Sequence, residues 1–148
     1  MTSKQLIQAS ILTLLTLGSL GASAADGAAK WRKECSSCHV AYPAAGLPAA
    51  SWQKVMAGLD KHFGADASLP AQDTQEIANY LEQNAAKRWK GSDTPLRVTD
   101  SQWFKSKHHE VSAAVWKRAS IKSPANCGVC HQGAAKGDFD EDNVRIPK

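Results

Sequence analysis

The sequence lacks the patterns that mark several protein classes. No segment alternates apolar and polar residues with β-branched enrichment, so we predict almost no strand. Lys and Arg residues are interspersed with acids instead of forming a basic stripe, which argues against nucleic-acid binding. There is also no βαβ pattern, as a thioredoxin-like redox motif would require. The 148 residues, 43% hydrophobic and 22% charged, are typical of one or two small globular domains.

Long apolar runs are equally scarce. One stretch, residues 11–20, follows a single early charge, Lys4, and leads to Ala-Ser-Ala at residues 22–24. This order is typical of a secretory signal peptide over residues 1–24. A membrane anchor is the alternative, but the apolar core is about half of the roughly 20 residues that span a bilayer. We therefore expect cleavage after about Ala24, export from the cytoplasm and a mature protein that does not span the membrane.

The four cysteines occur in two identical C-x-x-C-H frames. A disulfide framework accounts for an even cysteine count in an exported protein, but not for a histidine after each second cysteine. Structural zinc usually joins cysteine pairs a dozen or two residues apart, whereas 88 residues lie between these pairs. Covalent c-type haem attachment explains both features, because the thiols bond to the haem and the histidine binds its iron. The frames are Cys35, Cys38 and His39, and Cys127, Cys130 and His131.

We therefore predict two covalently bound haems c, with His39 and His131 as the proximal iron ligands. The sixth coordination position of the first iron has two candidates. A helix is predicted over residues 52–63, with Ser51 as its N-cap and Gly64 past its end, and His62 lies on its apolar face. Met56, the only methionine after the predicted cleavage site, lies near that face. A lone methionine beside an apolar stripe is usually core filler, so we favour His62 and keep Met56 as the alternative.

The second iron has two adjacent histidines as candidates. A helix is predicted over residues 100–116, with its N-cap at one of the first two residues. Phe104 and His108 share the apolar stripe of this helix, whereas His109 shares a face with Lys105. The pattern favours His108 as the distal ligand and leaves His109 as the alternative.

The two motifs divide the mature chain into halves. Residues 90–95 form a link rich in helix breakers, so we predict one haem domain over 25–90 and another over 91–148. The predicted fold is mostly α, a small helical protein whose haems form its apolar centre. The C-terminal half is predicted to be irregular around the second haem, with residues 133–148 wrapping it.

Two more helices are predicted in the first half. An attachment helix spans approximately residues 28–38. A second helix opens at Asp73, where Glu76 three residues later completes a capping-box pattern.

Several short patterns connect the two motifs along the mature chain. They are CSSCHVAYP at 35–43, LP at 47–48, SW at 51–52, HFG at 62–64, SPANCGVCH at 123–131, GDF at 137–139 and IP at 146–147. Together they resemble the dihaem cytochrome c (DHC) family of bacterial periplasmic electron carriers. The resemblance implies two bis-histidine haems c, with His62 and His108 as distal ligands, and an N-terminal half similar to a small class I cytochrome c.

The resemblance also implies redox partner proteins. They are a small oxygen-binding monohaem cytochrome of the sphaeroides haem protein type and membrane cytochrome b subunits. One-electron transfer is the expected function, because two six-coordinate irons leave no position for a small-molecule substrate. The alternative is a haem enzyme, such as a peroxidase or a reductase, or a gas or redox sensor with one labile axial ligand.

Overall fold

The described part of the protein consists of helices joined by turns and loops. The computed structural model describes residues 20–89 and 93–148. Within them, β-structure is limited to isolated bridges between His62 and Ala65 and between His131 and Val144, so the predicted mostly α fold is confirmed. The helices are α1 (Leu20–Cys35), α2 (Ala49–Ala57), α3 (Ala71–Gln83), α4 (Gln102–Lys107) and α5 (Ala113–Trp116). Turns of 3₁₀-helix cover Ala44–Gly46, Leu59–Lys61, Val98–Asp100, Cys127–Val129, Ala134–Lys136 and Glu141–Asn143.

Parts of two predicted segments lie outside the described residues. These are residues 1–19 of the signal peptide and residues 90–92 of the link. The predicted cleavage site after Ala24 lies within α1, and both this site and the domain boundaries stay predictions. In the described part of the chain, no helix combines the length and the apolar character that crossing a membrane requires.

Helices α1 and α3 approach each other closely at Gly27. A Cβ atom at this position would lie 2.5 Å from the backbone oxygen of Glu76 and 3.0 Å from Cβ of Tyr80, so the approach requires glycine. Beside this contact, Nζ of Lys30 lies 2.6 Å from a carboxylate oxygen of Asp73 and 2.6 Å from one of Glu76. The hydrogen bond from Lys30 lowers the pKa of Glu76.

This ion-pair cluster replaces the predicted capping box. Helix α3 begins at Ala71, two residues before Asp73, and Pro70 occupies its N-cap without a side-chain hydrogen bond. The capping-box prediction is wrong because both carboxylates bind a lysine of the neighbouring helix. The attachment helix also differs from its prediction, since α1 ends at Cys35 and the rest of the first motif follows it.

The predicted helix over residues 52–63 is wrong in its extent. Helix α2 begins after Pro48 and ends at Ala57, and Ser51 is fully buried inside it instead of capping it. Gly58, a poor helix former, ends the helix. A 3₁₀ turn over Leu59–Lys61 then carries the chain to His62.

The predicted helix over residues 100–116 divides into two. Ser101 is its N-cap, as expected, because its Oγ accepts a hydrogen bond from the backbone N–H of Phe104 at 3.0 Å. Helix α4 nevertheless ends at Lys107, and α5 begins after Ser112. The intervening residues include β-branched Val111 and Ser112, residue types that favour other conformations over a helix interior.

One buried apolar cluster joins the two halves of the chain. Val98 and Phe104, from the second half, pack with residues of α1, α2 and α3. The members from the first half are Trp31, Ala44, Leu47, Trp52, Met56, Ile77, Leu81 and Ala85. This shared core packs the segment around Phe104 against the helices of the first half.

Candidate functional site

The imidazoles of His39 and His62 form the first ring pair. Their centroids are 6.2 Å apart and their planes differ by 21°. Two imidazoles bound to opposite sides of one metal ion, each through a bond of about 2 Å, have centroids roughly 6 Å apart. The separation therefore fits two axial ligands of a single iron.

Local contacts orient both rings. Nδ1 of His39 lies 2.7 Å from the backbone oxygen of Val40, and a hydrogen bond there leaves Nε2 free to bind a metal. His62 begins a tight turn in which Phe63 and Gly64 both have positive φ, 52° and 100°. Burial, aided by the neighbouring charge of His39, lowers the pKa of His62. The shift favours the neutral imidazole, which is the form that binds metals.

A cavity of about 830 Å³ lies beside this ring pair. Cys35, Cys38 and Met56 line it together with both imidazoles. Binding pockets for whole organic ligands usually measure about 300–1,000 Å³ and have mostly apolar walls. The cavity therefore fits a porphyrin attached to the first motif. Its apolar wall includes Trp52, Val55, Leu59, Leu69, Ile77 and Leu81.

All four cysteines lie within the described residues, and none of them forms a disulfide. Burial raises the pKa of Cys35 to about 11 and also raises the pKa of Cys127 and Cys130. The thiols of both motifs are thus unpaired, as covalent haem attachment requires. No group of three or more His, Cys, Asp or Glu side chains that could hold a metal ion by themselves occurs in residues 20–89 and 93–148.

The imidazoles of His108 and His131 form the second ring pair. Their centroids are 6.1 Å apart, but their planes are nearly perpendicular, at 78°. Nδ1 of His108 lies 2.9 Å from the backbone oxygen of Phe104, again leaving Nε2 free. Burial is the main cause that lowers the pKa of His131, and the charge of His108 adds to it. Nδ1 of His131 is buried without a hydrogen-bond partner, so this ring lacks the Nδ1 contact that His39 and His108 make.

Aromatic side chains surround this second pair. Phe104 stacks on His108 with centroids 4.0 Å apart, Trp116 lies 5.9 Å from the same ring, and Phe139 lies 5.5 Å from His131. These groups provide the apolar contacts that a second porphyrin needs. The C-terminal residues return to the second motif, where the backbone N–H of Arg145 donates to the carbonyl of Cys130 at 2.9 Å.

The two alternative distal ligands, His109 and Met56, lie in different environments. His109 is exposed, its Nδ1 lies 2.8 Å from the backbone oxygen of Ser106, and within the described residues its ring makes no aromatic contact with His131. Met56 is buried in the core and lines the first cavity. The rings paired with the motif histidines are therefore those of His62 and His108.

Tyr42 is a residue whose role the sequence does not reveal. Its ring stacks on His39, with centroids 4.8 Å apart and planes 25° apart. Its hydroxyl donates a hydrogen bond to the carbonyl of Ala125 at 3.2 Å. The two residues are 83 positions apart, so local patterns give no signal of this contact. Burial raises the pKa of Tyr42 and keeps the hydroxyl protonated as a donor.

Comparison with known protein families supports the interpretation of these sites. A family model described as dihaem cytochrome c matches residues 31–139. Both motifs and every candidate distal ligand fall within this range. A search of curated protein sequences found no match.

Solved structures give a similar result. The chain is 41% identical to a diheme cytochrome c from Shewanella baltica OS155, over 82% of this chain and 94% of that one, with a TM-score of 0.71. A diheme cytochrome c from Rhodobacter sphaeroides is 45% identical over 75% of this chain and 95% of its own, with a TM-score of 0.67. Another structure of DHC from Rhodobacter sphaeroides is 48% identical over 75% and 96%, with a TM-score of 0.65.

Proposed function

Because the chain belongs to the dihaem cytochrome c family, we propose that it carries single electrons in the periplasm with histidines in every axial position of its two irons. Membership of the family means that the protein holds two c-type haems, and each supplies a one-electron iron couple when bound. The observation that carries the proposal is the presence of two imidazole pairs, 6.2 and 6.1 Å apart, each containing one motif histidine.

Each residue of the two sites then has a defined task. His39 and His62 bind the first iron, and His131 and His108 bind the second. The thiols hold the porphyrins covalently, Cys35 and Cys38 in the first site and Cys127 and Cys130 in the second. A second imidazole favours a lower reduction potential than a methionine ligand would, so the proposed ligands indicate a low-potential carrier.

The partners that we propose follow from the family. They are a small oxygen-binding monohaem cytochrome and a membrane cytochrome b. Export to the periplasm is supported by the signal-peptide pattern of residues 1–24.

Carbon monoxide tests the proposed function. We expect the reduced protein to contain two haems per chain and to show no change in its visible spectrum on exposure to carbon monoxide, because both sixth positions are filled. The measurement is the spectrum before and after the gas, with haem quantified per chain. A spectral change at one haem would reveal a labile axial position and favour the enzyme or sensor function.

The angles between the imidazole planes give a separate prediction. Parallel imidazoles interact with the same iron d orbital and split the orbital pair, whereas perpendicular imidazoles leave the pair nearly degenerate. With planes at 21° and 78°, we expect two different electron paramagnetic resonance signals from the oxidised protein. His39 and His62 should give a rhombic low-spin signal, and His131 and His108 a strongly anisotropic one. Two signals of equal anisotropy would contradict the geometry.

A further inference from the structure

We propose that Tyr42 is a positioning residue that couples the two haem sites. In this role its ring fixes the imidazole of His39 in the first site, and its hydroxyl holds the attachment loop of the second site. The inference rests on the proposed function, because it takes His39 as an iron ligand and Cys127 as an attachment point.

The contact of Tyr42 with the first site is a ring stack. The centroid separation of 4.8 Å and the interplanar angle of 25° place the phenol against the face of the His39 imidazole. Nδ1 of His39 is engaged with the backbone oxygen of Val40. The stack and this hydrogen bond together restrict rotation of the imidazole about its Cβ–Cγ bond, and the orientation of an axial imidazole affects the electronic state of the iron.

The contact of Tyr42 with the second site is the hydrogen bond to the carbonyl of Ala125. Ala125 lies two residues before Cys127, whose Sγ is 3.6 Å from the same carbonyl oxygen. Local hydrogen bonds also brace this loop, since Oγ of Ser123 accepts from the N–H of Ala125 at 3.1 Å and the side chain of Asn126 donates to the Ile121 carbonyl at 3.1 Å. The phenol therefore binds a well-defined loop.

This link between the sites has no duplicate in the described residues. Of the side-chain hydrogen bonds in residues 20–89 and 93–148, only the one from Tyr42 joins residues 35–62 to residues 104–144. Residues of both motif regions, Cys35 and Cys38 from the first and Cys127 from the second, also line the same cavity, but no hydrogen bond between them is found among the described residues. Removing the hydroxyl should consequently loosen the second attachment loop relative to the first site.

Two substitutions separate the roles of ring and hydroxyl. Tyr42→Phe keeps the stack and removes the hydrogen bond, whereas Tyr42→Leu removes both. The matched control is Tyr80→Phe at the only other tyrosine in the chain. The ring of Tyr80 packs on Trp31 at 5.2 Å, and its hydroxyl makes no hydrogen bond among the described residues.

The experiment uses the full holoprotein and measures three quantities. They are the paramagnetic signal of each oxidised haem, the equilibrium constant for moving one electron between the haems, and amide hydrogen exchange at residues 125–127. In Tyr42→Phe we expect exchange to rise by about fivefold, as for the loss of one hydrogen bond, and the electron-partition constant to differ from that of the unsubstituted protein. The first-site signal should stay unchanged in this variant and should change in Tyr42→Leu.

The control defines the results that would overturn the inference. If Tyr42→Phe matches Tyr80→Phe in both exchange and electron partition, the hydroxyl link is refuted. If Tyr42→Leu leaves the first-site signal unchanged, the stacking role is refuted. Should Tyr42→Leu fail to take up haem, Tyr42→Phe alone decides. Failure of the proposed function is distinct, because the unsubstituted protein would then lack two low-spin signals or bind carbon monoxide.

Discussion

Replacing His108 by alanine is expected to open one iron of the reduced protein to carbon monoxide, raising the bound gas from none to one molecule per chain. The ring of His108 lies 6.1 Å from that of His131, whereas His109 is exposed and turned to the backbone of Ser106. His109→Ala is the matched control and should leave both haems low-spin and unreactive. The measurement is a carbon monoxide titration followed by visible absorption. If His109→Ala binds carbon monoxide and His108→Ala does not, His109 is the distal ligand.

The first site is expected to behave in the same way. His62→Ala should open one iron to carbon monoxide, because the imidazole that it removes lies 6.2 Å from that of His39. Met56→Leu is the matched control, since it keeps the volume of a core side chain that also lines the cavity. Carbon monoxide binding by Met56→Leu would show that the thioether is the ligand and that the ring pair is not.

A chain without haem is expected to lose cooperative unfolding. Water would enter the cavity of about 830 Å³ at the first site, and the apolar side chains that line it would lose the stabilisation that burial provides. At the second site, Phe104, Trp116 and Phe139 would similarly lack the apolar contacts that a porphyrin would provide. Thermal unfolding monitored by circular dichroism should change from a sharp transition to a broad one with reduced helix content.

Cysteine variants make the haem-free state accessible one site at a time. Replacing Cys35 and Cys38 together by alanine should remove the first haem, and replacing Cys127 and Cys130 should remove the second. His62→Ala serves as the control, because it keeps the haem and loses only one ligand bond. A sharp transition of unchanged midpoint in either double variant would show that the helical core folds without that haem.

The sequence predicts the chemistry of the sites better than the ends of the helices. The two C-x-x-C-H frames are contiguous, so the spacing alone predicts attachment, and family membership confirms two haems. His108 lies on the same side as Phe104, as the pattern predicts, although helix α4 ends at Lys107. Residues four positions apart share a face within a single helical turn, so a longer helix is not needed. Helix ends depend on tertiary partners instead. Lys30, for example, engages the carboxylates of Asp73 and Glu76 that the local pattern assigned to a cap.

The placement of Tyr42 could not be predicted for a related reason. Its hydroxyl binds the backbone carbonyl of Ala125 in the other half of the chain. Because every residue has a backbone carbonyl, the residue types along the sequence do not indicate this contact. The plane angles of the two imidazole pairs are likewise set by packing, through Phe104 and Trp116 on one side and the turn at Phe63 on the other.

The two imidazole pairs close chain segments of equal length. The residue numbers of each pair differ by 23, from 39 to 62 and from 108 to 131. The entropic cost of closing a flexible loop depends on the logarithm of its length, so the two distal bonds that we propose would carry the same chain-entropy cost. A difference in stability between His62→Ala and His108→Ala would therefore measure how firmly the folded protein holds each imidazole. Because His108 stacks on Phe104 whereas His62 lies at a turn with two positive φ angles, we expect the larger loss of stability in His108→Ala.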